Sequence, residues 1–387
     1  MIVPAVRREE RLLARIAGMN WLERVANVAR RAGIERLAVC VSDPSIGGRF
    51  SIPGGIDAVF LSGPAELASC STGRLVIMSP DVLPDVRFLK GLVDMPDTGH
   101  AALPEENLDI LAVNGSLPVS SLPAFFMDEP MSHVREIVKN DFFADIVSVG
   151  QGEVMSVPAN DLSSVEKALF RALVKDGEGF MSRYFERKIS LAISGRLVET
   201  SVTPNQMTIF SVFTGLAGAL CIAAGGVAMQ SAGALLFLAH SILDGCDGEI
   251  ARIRFMESRL GGILDFWGDN VVHAAVFSAI GYAWYEESHG MLPLFLAFLA
   301  VSGTFLSAGM VYVKTMMKKG DEEGPLYTSV SGEEQPSPVV RIADYLSRRD
   351  FIYLVVILAF TGHLQWFLVM AAIGSPGFFL LLLMVNQ

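Results

Sequence analysis

Beyond Asn205 the sequence becomes long runs of apolar residues, and two of those runs contain four carboxylates: Asp244, Asp247, Asp265 and Asp269. A charge inside a membrane segment costs roughly 2.5–3.5 kcal/mol even on lenient insertion scales. Four of them must therefore face one another, a cavity or a cation. Any fold this chain adopts has to bring those carboxylates to a place where their charge is compensated.

Six apolar segments can be drawn, over 205–225, 231–253, 258–284, 290–316, 345–362 and 365–386. Each is near the ~20 residues that span a bilayer, the fifth being the weakest because its purely apolar part runs only from Phe351 to Thr361. The loops near 226–230, 285–289 and 362–365 carry no Lys or Arg. The opposite ends carry Arg252, Arg254, Arg259, Lys314, Lys318, Lys319, Arg348 and Arg349. Positive residues mark the cytoplasmic side. With six crossings, these ends, the chain before Asn205 and the C-terminus are all expected to be cytoplasmic. Met1 to Gly18 is rich in Arg and Glu without an apolar core, so it does not read as a signal peptide.

The net charge of -11 argues against a nucleic-acid partner, which needs basic surface. Cys40, Cys70, Cys221 and Cys246 are scattered without CxxC spacing, so neither a disulfide framework nor a zinc site is expected. His240, His273 and His363, in or beside apolar segments, read as packing residues rather than ligands.

The first half reads as a soluble α/β domain. A helix from Asn20 ends at Gly33, and strands follow at Arg36–Val41, Ala58–Leu61 and Arg74–Met78. Alternating helix and strand predict a parallel sheet with flanking helices. The segment from Phe180 to Leu197 alternates apolar and basic residues at helical spacing and reads as an amphipathic helix on the membrane surface. Thr203-Pro204-Asn205 makes a helix start, with Thr as N-cap and Pro in the first turn. The domains expected are 1–178, an interfacial helix over 179–202, and a transmembrane domain over 203–387.

Asp244, Asp247 and Ala251 stand at i, i+3 and i+7 and share one helix face; Asp265 and Asp269, at i and i+4, share a face of the next helix. The connection between them is short, so the helices are antiparallel neighbours and the carboxylates converge. Hard oxygen ligands without His or Cys select Mg²⁺ or Mn²⁺, with Ca²⁺ the further hard cation. Two such ions bridged by shared carboxylates form a clamp for displacement at phosphorus. Gly248, Gly261 and Ala251 leave room for a ligand, and Arg252 can neutralise phosphate.

The run Asp-x-x-Asp-Gly-x-x-Ala-Arg-x8-Gly-x3-Asp-x3-Asp, from Asp244 to Asp269, resembles the signature of the CDP-alcohol phosphotransferase family at every fixed position. The resemblance implies a dimeric six-helix membrane bundle that moves a phospho-alcohol group from a CDP-linked donor to an alcohol and releases CMP. It also implies two Mg²⁺ (or Mn²⁺) ions on Asp244, Asp247, Asp265 and Asp269, with Asp269 as general base. Gly248, Ala251, Arg252 and Gly261 would line the CDP pocket, and Asn205 would touch the cytidine. The junction from Asp176 to Asn205 resembles fused enzymes in which a cytidylyltransferase-like domain precedes a di-myo-inositol-phosphate-phosphate synthase. That resemblance favours CDP-inositol as donor and inositol 1-phosphate as acceptor. A CDP-diacylglycerol donor and another polyol phosphate are the alternatives. Lys314, Arg348 and Arg349 are candidates to hold a phosphorylated acceptor.

The first domain resembles a nucleotidyltransferase in its strand–Ser79-Pro80-Asp81 order, where Asp81 would hold a metal. It departs from that family in having no Gly before Gly18, hence no backbone cradle for CTP phosphates. It is expected to be a catalytically silent member. A non-enzyme reading, a transporter or scaffold with a cation site, would need a polar path across the bilayer. All four Asp instead lie towards one end.

Overall fold

The computed structural model describes residues 1–70, 73–94, 101–103, 109–115, 117–127, 130–141, 144–146, 152–158, 160–173, 185–316 and 351–385. The chain divides into two compact units, Met1–Leu169 and Phe170–Gln387.

The first unit is built on a seven-stranded sheet. Its strands are β1 (Ile2–Pro4), β2 (Arg36–Cys40), β3 (Asp57–Leu61), β4 (Arg74–Met78), β5 (Ala101–Leu103), β6 (Ile110–Asn114) and β7 (Ala144–Ile146), in the order β3-β2-β1-β4-β6-β5-β7. β1 pairs in parallel with both β2 and β4, and β2 with β3. The parallel sheet expected from the sequence is present with one strand reversed: β6 runs antiparallel to β4 and to β5. The chain length explains it, because only residues 104–109 separate β5 from β6 and a parallel crossover takes a dozen or more.

Helix α1 (Trp21–Arg31) begins at Asn20, whose N–H donates to Glu23 Oε2, and closes at Gly33 with φ +83°. Its buried face holds Trp21, Leu22, Val25 and Ala29, and Trp21 Nε1 donates to Val82 O at 3.1 Å. Helices α2 (Val86–Val93), α3 (Pro130–Asp141) and α4 (Leu162–Arg171) follow. One face of the sheet, with Ile2, Cys40 and Ile77, packs on Leu122, Phe125 and Val134.

The second unit is helical: α5 (Arg187–Leu197), α6 (Pro204–Ala223), α7 (Val227–Ile253), α8 (Arg259–Ser288), α9 (Leu292–Val311), α10 (Phe351–Phe360) and α11 (Gln365–Val385). Among the described residues four stretches are long and apolar enough to cross a membrane: α6, α7, Leu292–Lys314 around α9, and Gln365–Met384 in α11. The expected third span is the 30-residue α8, whose Arg259, Asp265, Asp269, Glu286 and Glu287 lower its apolarity. The expected fifth is described over the 10 residues of α10 alone.

The start of α6 is locked by a reciprocal cap: Thr203 Oγ1 accepts from Gln206 N, and Gln206 Oε1 accepts from Thr203 N. α6 then runs against α7 at backbone contact. A Cβ on Gly233 would lie 2.5 Å from Gly218 O, and one on Gly218 would lie 2.8 Å from Gly233 O. Small residues permit such approach where lipid supplies no hydrophobic drive between helices. Replacing Gly233 by Val should therefore cost about 1–3 kcal/mol of overpacking. It should lower the thermal midpoint of the detergent-solubilised protein. Gly374→Ala, where a Cβ meets nothing within 4 Å, should not lower it.

Candidate active site

α7 and α8 deliver the carboxylates. Asp244 and Asp247 are buried, 4% and 6% exposed, and Asp265 is half-buried. One oxygen from each of Asp244, Asp247 and Asp265 lies within 4.8 Å of the others. Asp265 Oδ1 is buried and accepts no hydrogen bond among the described residues. Three carboxylates at this spacing repel one another unless a cation or protons intervene. An oxygen-only donor set with an orphaned buried oxygen fits a hard divalent ion.

Asp269 stands one turn along α8, outside that trio. Its Oδ1 lies 3.4 Å from His240 Nε2. His240 is one turn before Asp244 on α7, and its Nδ1 is 2.9 Å from Ser211 O, an acceptor, so Nδ1 carries a hydrogen. Gly215 makes room for this ring, since a Cβ there would come within 3.0 Å of His240 Cγ. The expectation of a packing histidine is thus incomplete: His240 also faces Asp269. His273 does pack, its ring 5.6 Å from Phe237 and 5.7 Å from Phe351.

Asp247 Oδ2 accepts a hydrogen bond from Thr208 Oγ1 of α6. The guanidinium of Arg252 lies back over Gly248, where a Cβ would stand 2.9 Å from Arg252 Nη1. Arg252 Nε is buried and donates no hydrogen bond among the described residues. The start of α8 meets the start of α6: a Cβ on Gly261 would be 3.0 Å from Asn205 Oδ1 and 3.0 Å from Ser258 Oγ, the N-cap hydroxyl that accepts from Gly261 N. Asn205, Gly261 and Ser258 thus sit together, and Gly248 with Arg252. Ala251 is half-buried on the same helix. Lys314 lies in the turn Tyr312–Met316 after α9; Arg348 and Arg349 lie outside the described residues.

Glu249 lies inside the motif but points to α5. Its Oε1 accepts from Arg187 Nη1 at 2.7 Å and from Ser190 Oγ at 2.6 Å, and its side chain is 0% exposed. This pair ties α5 to α7 beside the site, together with Cys246 and Ile250 packed on Ile193 and Leu197.

Thr208, Ser211, His240, Glu249 and Arg187 were missed as functional residues. Two had a readable signal. His240 is i−4 from Asp244, and Thr208 is i+3 from Asn205, so both are polar side chains on faces already marked.

In the first unit Asp81 is claimed by cations. Arg8 Nη1 donates to Oδ2 at 2.5 Å, Arg11 Nη2 to Oδ1 at 2.6 Å, and Ser79 Oγ to Oδ2 at 3.1 Å.

Residues 201–376 match the model of the family described as CDP-alcohol phosphatidyltransferase. Two curated relatives carry the name "Bifunctional IPC transferase and DIPP synthase". The one from Thermococcus kodakarensis is 34% identical over 197 residues, 47% of this chain and 44% of that protein. The one from Archaeoglobus fulgidus is 35% identical over 223 residues, 55% of this chain and 40% of that protein. The chain therefore spans less than half the length of the curated relatives it matches. Among solved structures, the apo form of Mycobacterium tuberculosis phosphatidylinositol phosphate synthase superposes with a TM-score of 0.34 at 22% identity, over 50% of this chain and 95% of that one.

The Arg187–Glu249 pair yields a prediction. Glu249→Gln removes the buried charge opposite Arg187, and breaking a buried pair costs roughly 3–5 kcal/mol. Arg187 retains 18% exposure, so the lower end applies. The thermal midpoint in detergent should fall, and Glu249→Asp should restore part of it.

Proposed function

We propose that the chain is a membrane transferase that moves phosphoinositol from CDP-inositol to inositol 1-phosphate and releases CMP. The observation that carries this reading is the convergence of Asp244, Asp247 and Asp265 within 4.8 Å inside a CDP-alcohol phosphatidyltransferase domain. The relatives' name, which pairs an IPC transferase with a DIPP synthase, supports a CDP-inositol-type reaction. CDP-diacylglycerol with the same acceptor is the second reading.

Asp244, Asp247 and Asp265, with Asp269 beside them, would hold two Mg²⁺ or Mn²⁺ ions. Bound there, they would neutralise charge on the diphosphate and on departing CMP. Arg252, folded back over Gly248, meets the phosphates. Asn205 beside Gly261 contacts the cytidine, and Ala251 keeps the wall low. Asp269 accepts the proton of the acceptor hydroxyl. That oxygen bonds to the β-phosphorus, and the bond from the β-phosphorus to the CMP oxygen breaks. Lys314, Arg348 and Arg349 are assigned to the acceptor phosphate.

The remaining architecture follows the same reading: a six-helix transmembrane domain over 203–387 that forms a homodimer, an interfacial helix over 179–202, and a nucleotidyltransferase-like domain over 1–178. The site and the first domain face the cytoplasm, on the side of the Lys and Arg clusters. A sheet with one antiparallel strand and Asp81 at the end of β4 support the nucleotidyltransferase likeness. The double clamp of Arg8 and Arg11 on Asp81 supports its being silent towards CTP.

Purified full chain given CDP-inositol, inositol 1-phosphate and Mg²⁺ should release CMP and form the phosphodiester, and chelation should stop it. CMP release from CDP-diacylglycerol instead would shift the assignment to the second reading; release from neither would overturn both. Asp269→Asn should slow turnover by ~10²–10⁴-fold, and a loss under about threefold would remove it as the base. The same preparation should not turn over CTP with inositol 1-phosphate.

A further inference from the structure

Asp247, a member of the carboxylate trio on α7, is anchored from a different helix. Thr208, 2% exposed on α6, places its Oγ1 against Asp247 Oδ2. The same Oγ1 is 3.3 Å from Pro204 O, which is also an acceptor. A hydroxyl has a single hydrogen, and the closer, charge-assisted contact to the carboxylate takes it.

The donor is held rigidly. The reciprocal cap of Thr203 and Gln206 fixes the first turn of α6. Ser211 Oγ donates to Thr208 O at 2.8 Å and fixes the second. The backbone contact of Gly218 with Gly233 sets the distance from α6 to α7. Thr208 therefore reaches Asp247 from a second helix held at a fixed distance from α7.

The consequence is geometric. A carboxylate whose Oδ2 is bound to a fixed hydroxyl has its plane set and presents its other oxygen in one direction. We propose that Thr208 is a positioning residue of the divalent-metal site, holding Asp247 so that its second oxygen faces Asp244 and Asp265. This rests on the reading of the trio as a metal site given above. Groups that orient ligands from behind typically contribute 10–100-fold in metal affinity.

The test is direct Mn²⁺ binding by the full chain in detergent without nucleotide, read by electron paramagnetic resonance. Thr208→Val keeps the shape and removes the hydroxyl, and should weaken Mn²⁺ binding by about 10–100-fold. Thr208→Ser keeps the hydroxyl and should stay within about threefold of the native chain, below that range. If T208V does not fold, Thr208→Ala against T208S isolates the hydroxyl in the same way. Native affinity in T208V, or a loss in T208S as large as in T208V, overturns the proposal. If the native chain binds no Mn²⁺, the metal-site reading itself falls. With added metal, T208V turnover should recover towards the native kcat while its KM for metal stays raised; a kcat loss that metal cannot rescue counts against positioning.

Discussion

Mutual repulsion of carboxylates inside an apolar helical unit is the constraint on which the rest of this structure depends. Asp244 and Asp247 are almost fully buried, and Asp265 brings a third oxygen within 4.8 Å. Burial alone makes each ionised group expensive, and proximity adds to the cost. Such a cluster persists only if the surrounding residues hold it for a purpose. The surroundings supply that hold from several sides: Thr208 on Asp247, His240 beside Asp269, and Arg252 laid back over Gly248. The Arg187–Glu249 pair fastens α5 to the helix that carries the first two carboxylates.

The glycines serve that arrangement. Gly218 and Gly233 let α6 and α7 touch through their backbones, which is what allows a short side chain such as Thr208 to span from one to the other. Gly215 admits the His240 ring, Gly248 admits the Arg252 guanidinium, and Gly261 admits Asn205. Each is a place where a side chain of one helix occupies the space a Cβ would take on another or along its own.

Much of the site could be read in the sequence because its chemistry follows helical periodicity. The spacing of Asp244, Asp247, Asp265 and Asp269 put them on two faces, and the structure brings three of them within 4.8 Å. Contacts that depend on which helix lies beside α7 were not readable, because periodicity marks a face without naming its neighbour. Ser211 and Arg187 belong to that group, as do the partner of Thr208 on α7 and the inward turn of Glu249 between motif residues. The sheet illustrates the same limit. Its strands were readable from apolar runs, but the reversal of β6 depends on a connection too short for a crossover. Asp81 shows the converse. The residue was marked by its place after β4, whereas its capture by Arg8 and Arg11 joins segments about seventy residues apart and left no local sign.

On the proposed reading, the carboxylates of α7 and α8, and not the acidic residue of the first unit, hold the divalent metal. Equilibrium Mn²⁺ binding to the full chain compares the two directly, with Asp265→Asn and Asp81→Asn measured beside the native protein. D265N should lose tight Mn²⁺ binding while D81N keeps the native affinity. Native binding in D265N, or its loss in D81N, would contradict it.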